Sequence, residues 1–305
     1  MNDGYRAGFV TIVGKPNVGK STLLNQLMGE KLAIVTHKPQ TTRDRILGIR
    51  PVDNGQLIFL DTPGVHRAKK ALNTHMVDVA MATLTDVDVV FLVFDAVTAH
   101  PNDVLGGTDS RILDAIDSTK KPAIAVLNKI DKIDKNKLLP MMATLGEQTI
   151  FSAIVPISAK TGDGIDALLE EARILVPESP PLYPEDSLTD RSMRFLVGEL
   201  LREQLILTTK DELPYSVGVE ITGFKERTGK AIVDIDATIH VERKSQKGIV
   251  LGKGGIRLKT ASTEARKQME KLIGTKVFLR THVRVEPNWT QRAAGLRKLG
   301  YEKGK

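Results

Sequence analysis

The sequence predicts an α/β protein: a P-loop domain with a mostly parallel sheet, an antiparallel edge strand and helices on both faces, followed by a smaller α+β domain. Three observations carry this expectation. Short apolar runs alternate with helical periods through the first 176 residues, which is the signature of a doubly wound sheet. The run "VVFLVF" at 89–94 is apolar on both faces, as a parallel strand covered by helices must be. A stretch at 177–190 with four prolines then breaks the rhythm, and a chain of 305 residues accommodates about two domains.

The strands of the first domain read in order as "FVTIV", "QLIFLD", "VDVVFLVFD", "PAIAVLN" and "IVPIS", with "KSTLLNQLMG" as the first helix. The segment "RILGIRPVDNGQLIFLD" departs from alternation: two strand-like runs flank "DNG", predicting an antiparallel hairpin on the parallel sheet. We therefore expect one domain over 1–176, a stiff linker over 177–190 and a second domain over 191–305. The latter reads helix, strand, strand, helix, Gly-rich turn, helix, strand. Within it "IVDIDATIHV" alternates, with Asp234, Asp236, Thr238 and His240 on a polar face.

"GKPNVGKS", Gly14 to Ser21, fits G-x-x-x-x-G-K-[ST] between a strand and a helix. In such a loop backbone N–H groups cradle phosphate oxygens and the helix dipole adds positive potential. The candidate phosphate site is Gly14, Lys15, Pro16, Asn17, Val18, Gly19, Lys20, Ser21 and Thr22. Lys20 would reach the β- and γ-phosphates, and the Ser21 hydroxyl would ligate Mg²⁺. "FLDTPG" puts Asp61 at a strand end as the Mg²⁺ carboxylate, with Thr62, Pro63 and Gly64 following, the Gly64 N–H able to sense a γ-phosphate.

"AVLNKID" ends another strand with Asn128, Lys129 and Asp131. Two carboxylate oxygens on Asp131 match the N1–H and N2–H₂ donors of guanine, which adenine lacks, so the base read is guanine. "ISAK" adds Ser158, Ala159 and Lys160, with the Ala159 N–H expected to donate to guanine O6. Between these motifs "THKPQTTRDR" is a polar loop whose threonine can complete the Mg²⁺ shell only with GTP bound. Thr42 is the choice and Thr41 the alternative.

Charge is unevenly distributed. The first 180 residues hold 20 basic against 21 acidic side chains and the remainder 24 against 16, giving the total of +7. Residues 240–305 alone hold 17 against 5. A polyanionic partner would therefore meet the C-terminal domain. The absence of cysteine excludes a disulfide framework and Cys-ligated zinc, the six histidines lack metal-ligand spacing, and no signal peptide or membrane span is read. A cytoplasmic protein is expected.

The forms "QTTRD" and "DTPG" with the other motifs resemble the Era-like branch of the translation-factor-related GTPases. "YPEDSLTDRSMRFLVGELLREQL" and the ending "NWTQRAAGLRKLGY" extend the resemblance over nearly the whole chain. It implies a slow GTPase that binds the 3′ end of small-subunit ribosomal RNA, acts in small-subunit assembly and associates peripherally with the cytoplasmic membrane. Ras-like enzymes carry a water-orienting glutamine after D-x-x-G; here that residue is Val65, so other groups must orient water. Asn17 matches the asparagine that helps related members bind an activating K⁺. The catalytic set is then Lys20, Thr42, Gly64 and Asn17. His66 and Arg67 are either loop residues or catalytic ones.

"IVLGKGGIRL" places a G-x-x-G loop, Gly252, Lys253, Gly254 and Gly255, between two helices. With the α-β-β-α-α-β order it resembles a type II KH module, in which this loop clamps unpaired nucleotides and no DNA partner is implied. Arg257 and Lys259 would add phosphate contacts. Trp289 is read as a core residue rather than a stacking one. Two rivals remain: an RNA-binding assembly factor for which GTP is only a structural ligand, and a P-loop kinase, which the guanine-reading set disfavours.

Overall fold

The computed structural model describes residues 4–36, 46–61, 83–105, 110–209 and 216–291. They form two compact units, the first built on residues up to Asp190 and the second from Arg191 onward, with the segment beginning at Ile34 grouped with the second.

In the first unit six strands stand in the order β2-β3-β1-β4-β5-β6. They are β1 (Arg6–Gly14), β2 (Ile46–Val52), β3 (Gly55–Asp61), β4 (Val89–Asp95), β5 (Ala123–Asn128) and β6 (Phe151–Ile157). All pair in parallel except β2, which runs antiparallel to β3 as the hairpin expectation required. Val52 pairs with Gly55, leaving Asp53 and Asn54 as the connection, and Asn54 takes φ 50°, a left-handed conformation that asparagine tolerates.

Both sheet faces are covered, which is why β3 and β5 are buried at every position. Helices α1 (Lys20–Met28) and α4 (Ile165–Leu175) bury Leu23, Leu27 and Leu168 with Ile12, Phe59 and Phe91 on one face. On the other face, α2 (Ser110–Thr119) and α3 (Leu138–Gly146) bury Ile112, Ile116, Met141 and Leu145 with Ile58, Leu60 and Leu92. Strand register then aligns Ile12 with Asp61, Gly14 with Val93 and Asp95 with Asn128 and Ile157. The C-terminal ends of the parallel strands thus form one edge, where ligands bind in such sheets.

The proline-rich stretch is bound along the β2–β3 side of this unit. Gln56 Oε1 accepts from the N–H groups of Leu182 and Tyr183, Ile49 N–H donates to the Leu188 carbonyl, and Thr189 Oγ1 donates to the Leu47 carbonyl at 2.5 Å. It caps the hydrogen-bonding groups of edge strand β2, which would otherwise invite pairing with another chain.

The second unit has the expected order: α5 (Met193–Thr208), β7 (Gly218–Glu226), β8 (Ile232–Val241), α6 (Lys244–Leu251), α7 (Ile256–Ile273) and β9 (Lys276–Val285). β8 is central, antiparallel to β7 and parallel to β9. The helix-facing side of the sheet buries Val233, Ile235, Ala237 and Ile239 against Val197, Leu201, Ala261, Ala265 and Met269. α5 is buried on all sides, so its Arg202 is neutralised there by a two-point pair with Glu199, Nε to Oε1 at 2.7 Å and Nη2 to Oε2 at 2.5 Å. In the same unit the Val35 N–H donates to Glu203 Oε1 at 2.8 Å.

One position departs from the alternation. His240 was expected on the solvated face of β8 but is 1% exposed, with Nε2 2.9 Å from Glu220 Oε2 and Nδ1 2.8 Å from Glu286 Oε2. Two carboxylates satisfy both ring nitrogens, which lets the ring be buried. Among the described residues no helix is long and apolar enough to cross a membrane.

Candidate nucleotide site and RNA interface

The loop between β1 and α1 is held in a shape that only glycine permits at two points. Gly14 has φ 150° and a Cβ there would stand 2.6 Å from the Val93 carbonyl oxygen. Gly19 has φ 103° and its Cβ would stand 2.3 Å from Asn128 Nδ2. Gly19 is the N-cap of α1 and no side chain caps that end, so the first-turn N–H groups face the site. Between the glycines Asn17 adopts φ 65° and is exposed, Val18 is buried, and Thr22 lies half-buried on α1.

Lys20 is buried, and its Nζ donates to the carbonyls of Gly14 at 3.0 Å and Lys15 at 2.9 Å. Burial pulls its pKa down to about 8, while the Asp61 carboxylate opposes the shift. Ser21 Oγ donates to Asp61 Oδ2 at 2.8 Å, and Asp61 is fully buried at the end of β3. A hydroxyl and a carboxylate oxygen converging beside a lysine fit a hard divalent cation bound with phosphate: Ser21 and Asp61 would hold Mg²⁺.

The base-reading motifs meet the phosphate loop through Asn128. Its Nδ2 donates to the Val18 carbonyl at 2.8 Å, and its Oδ1 accepts from Lys129 N–H at 2.8 Å and Ala159 N–H at 3.0 Å. Asn128, 2% exposed, thereby ties three loops together.

Lys129 sits at φ 72°, and its Nζ bridges the Asn17 carbonyl at 2.8 Å and Asp95 Oδ2 at 2.6 Å. Asp131 Oδ1 accepts from Ser158 Oγ at 2.7 Å, which orients the carboxylate, and Lys160 is exposed at the same edge. Asp95 was not singled out from the sequence. The signal was available: a lone carboxylate ending the apolar run "VVFLVF" at the ligand edge. Thr41, Thr42, Thr62, Pro63, Gly64, Val65, His66 and Arg67 lie outside the described residues.

In the second unit Gly252, Gly254 and Gly255 have φ 69°, 60° and 77°, and they turn the chain from α6 into α7. Lys253 and Lys259 are exposed. Arg257 Nη1 donates to the Ile249 carbonyl and so braces the turn. Ile256 is 66% exposed at the start of α7, an apolar side chain beside the glycine turn. Trp289 is buried with Nε1 donating to the Ser216 carbonyl at 3.1 Å, as the core reading expected.

Comparison with known proteins places the same two modules on the chain. Residues 9–129 match the model of the 50S ribosome-binding GTPase family and residues 212–290 that of the KH domain. The protein named GTPase Era from Syntrophus aciditrophicus (strain SB) is 48% identical over 298 residues, covering 97% of this chain and 95% of the relative. That of Geobacter metallireducens (strain ATCC 53774 / DSM 7210 / GS-15) is 46% identical, covering 99% and 100%. The crystal structure of Era in complex with MgGDPNP and nucleotides 1506–1542 of 16S ribosomal RNA superposes with a TM-score of 0.91 at 39% identity, covering 97% of this chain and 99% of that one. A variant of Aquifex aeolicus Era bound to GDP·AlF4⁻ superposes equally well, with the same TM-score, identity and coverage.

Proposed function

The chain belongs to the Era family of GTPases, and from that premise we propose that it is a GTP-driven switch that binds small-subunit ribosomal RNA near its 3′ end and acts in small-subunit assembly. It hydrolyses GTP to GDP and phosphate. The observation that carries the nucleotide half is the Ser21–Asp61 contact beside buried Lys20, the relation an Mg²⁺–phosphate site requires. The RNA half rests on the G-x-x-G turn of a KH-type unit and on the Era–16S complex.

In this reading the domains are 1–176 for GTP, a linker at 177–190 and 191–305 for RNA. Ser21, Asp61 and Thr42 would hold Mg²⁺, which would supply positive charge to the β- and γ-phosphates. The backbone of Gly14 to Thr22 cradles the phosphates, Lys20 adds its charge, Thr62, Pro63 and Gly64 form the γ-phosphate edge, and Asn128, Lys129, Asp131, Ser158, Ala159 and Lys160 enclose the base. Asn17 is the K⁺ candidate, with its loop steadied from behind by Lys129. Turnover is slow because the sequence offers no charged finger in cis, and with Val65 after D-x-x-G other groups must orient water.

Residence in the cytoplasm, with peripheral membrane contact, agrees with the lack of a spanning helix among the described residues. Single-turnover hydrolysis tests the enzyme reading: Lys20→Ala and Thr42→Ala each abolish it, and unchanged hydrolysis in both would leave GTP a structural ligand.

A further inference from the structure

We propose that the open face of the KH-type sheet is a second RNA contact, which stacks unpaired bases on Phe278 and draws the backbone along β9. It rests on the RNA-binding reading above and is separate from the G-x-x-G turn, which lies on the helical side.

β9 is an edge strand whose alternate residues Lys276, Phe278, Arg280, His282 and Arg284 are all exposed, while Val277 and Val283 pack inward. The Phe278 ring is 48% exposed on the open face. Two guanidiniums lie over it, Arg227 Cζ at 5.3 Å and Arg280 Cζ at 5.7 Å from the ring centroid.

Neither guanidinium is left to swing. Arg227 forks onto Asp234 with contacts of 2.9 and 2.6 Å, and Arg280 onto Asp236 with contacts of 2.5 and 2.9 Å. The two aspartates are neighbours on the open face of β8, in register with Phe278 and Arg280. A bulge in β7 between Ile221 and Gly223 sets Gly223 opposite Asp236, where a Cβ would stand 2.6 Å from Asp236 Oδ2. The sheet therefore makes room for these pairs. The result is one preformed cluster of a ring and two guanidiniums, whose uncovered outer surface is what a base would meet.

Flat aromatic and guanidinium surfaces are what unpaired bases stack on, and preorganisation lowers the ordering cost. Charge permits the same partner. Lys225, Arg227, Lys276, Arg280 and Arg284 outnumber Asp234, Asp236, Glu220 and Glu286 on this face by one, and the β9 side chains recur every ~6.6 Å. A protein partner with an acidic surface would find the charge but would have no use for the pinned planes.

The test uses the full chain and a fluorescein-labelled RNA of the 16S segment 1506–1542. Phe278→Ala is expected to weaken binding at least fivefold, and Lys276→Ala with Arg284→Ala to lower the slope of log K against log salt by about one for each lost contact. Phe278→Trp keeps the stacking surface, and its added emission, read against buried Trp289, is quenched by the RNA. Affinity and salt slope within twofold of the parent in the first two variants, with unquenched Phe278→Trp, would overturn the proposal and leave the face to a protein. Gly254→Asp separates the two readings: if it abolishes binding while the β9 variants do not, only this proposal fails. If the parent does not bind the RNA, the underlying reading fails.

Discussion

Ser21 Oγ donates a 2.8 Å hydrogen bond to Asp61 Oδ2, joining the first turn of α1 to the end of β3. In the proposed site both oxygens would face Mg²⁺. Ser21→Ala leaves the buried Asp61 without that donor and would remove one ligand from the cation. We expect GTP affinity in Mg²⁺ to fall by at least tenfold and the ratio of affinities with Mg²⁺ and with EDTA to collapse toward one, measured by titration with a fluorescent GTP analogue.

Asp131 is oriented by Ser158 for two donors on the base edge. Charge-assisted hydrogen bonds contribute ~1.5 to 3 kcal/mol each, so Asp131→Asn, which presents an amide to those donors, should weaken GTP binding by about a hundredfold or more. The same amide can donate to a carbonyl at the C2 position, so XTP affinity should rise. Competition binding of GTP and XTP reads both; unchanged selectivity would remove Asp131 from the base site.

Lys20 gives the site a pH dependence. Its pKa is about 8 because burial disfavours the ammonium, and phosphate oxygens would raise it in the complex. The charged form binds, so affinity should be flat below pH 7.5 and decline above pH 8. GTP binding at pH 8.5 should take up a proton, seen by calorimetry in buffers of different ionisation enthalpy. Lys20→Met should abolish the uptake.

The G-x-x-G glycines differ in what a side chain would meet. A Cβ at Gly252 would stand 2.8 Å from Arg257 Cβ, whereas nothing lies within 4 Å of one at Gly254 or Gly255. Gly254→Asp and Gly255→Asp therefore place a charge at the phosphate approach without a steric contact, at the cost of the left-handed backbone strain that any side chain carries there. They should weaken RNA binding at least tenfold while GTP affinity and the Tm of the first unit stay within error. Gly252→Asp should also lower the Tm of the second unit.

The sequence by itself determined the order of elements, the hairpin, the two modules and the nucleotide motifs. Periodicity and glycine placement are local properties, and an eight-residue cradle such as Gly14 to Ser21 is written in one stretch of chain. Partners distant in sequence were not legible. Asn128 as the tie between Val18 and Ala159, Asp95 beneath Lys129, and Ser158 behind Asp131 arise only when the sheet aligns strand ends separated by tens of residues. The burial of His240 and the pinning of Arg227 and Arg280 around Phe278 were decided the same way. A side chain's role there depends on which group stands opposite it across the sheet, and register, not local pattern, chooses that group.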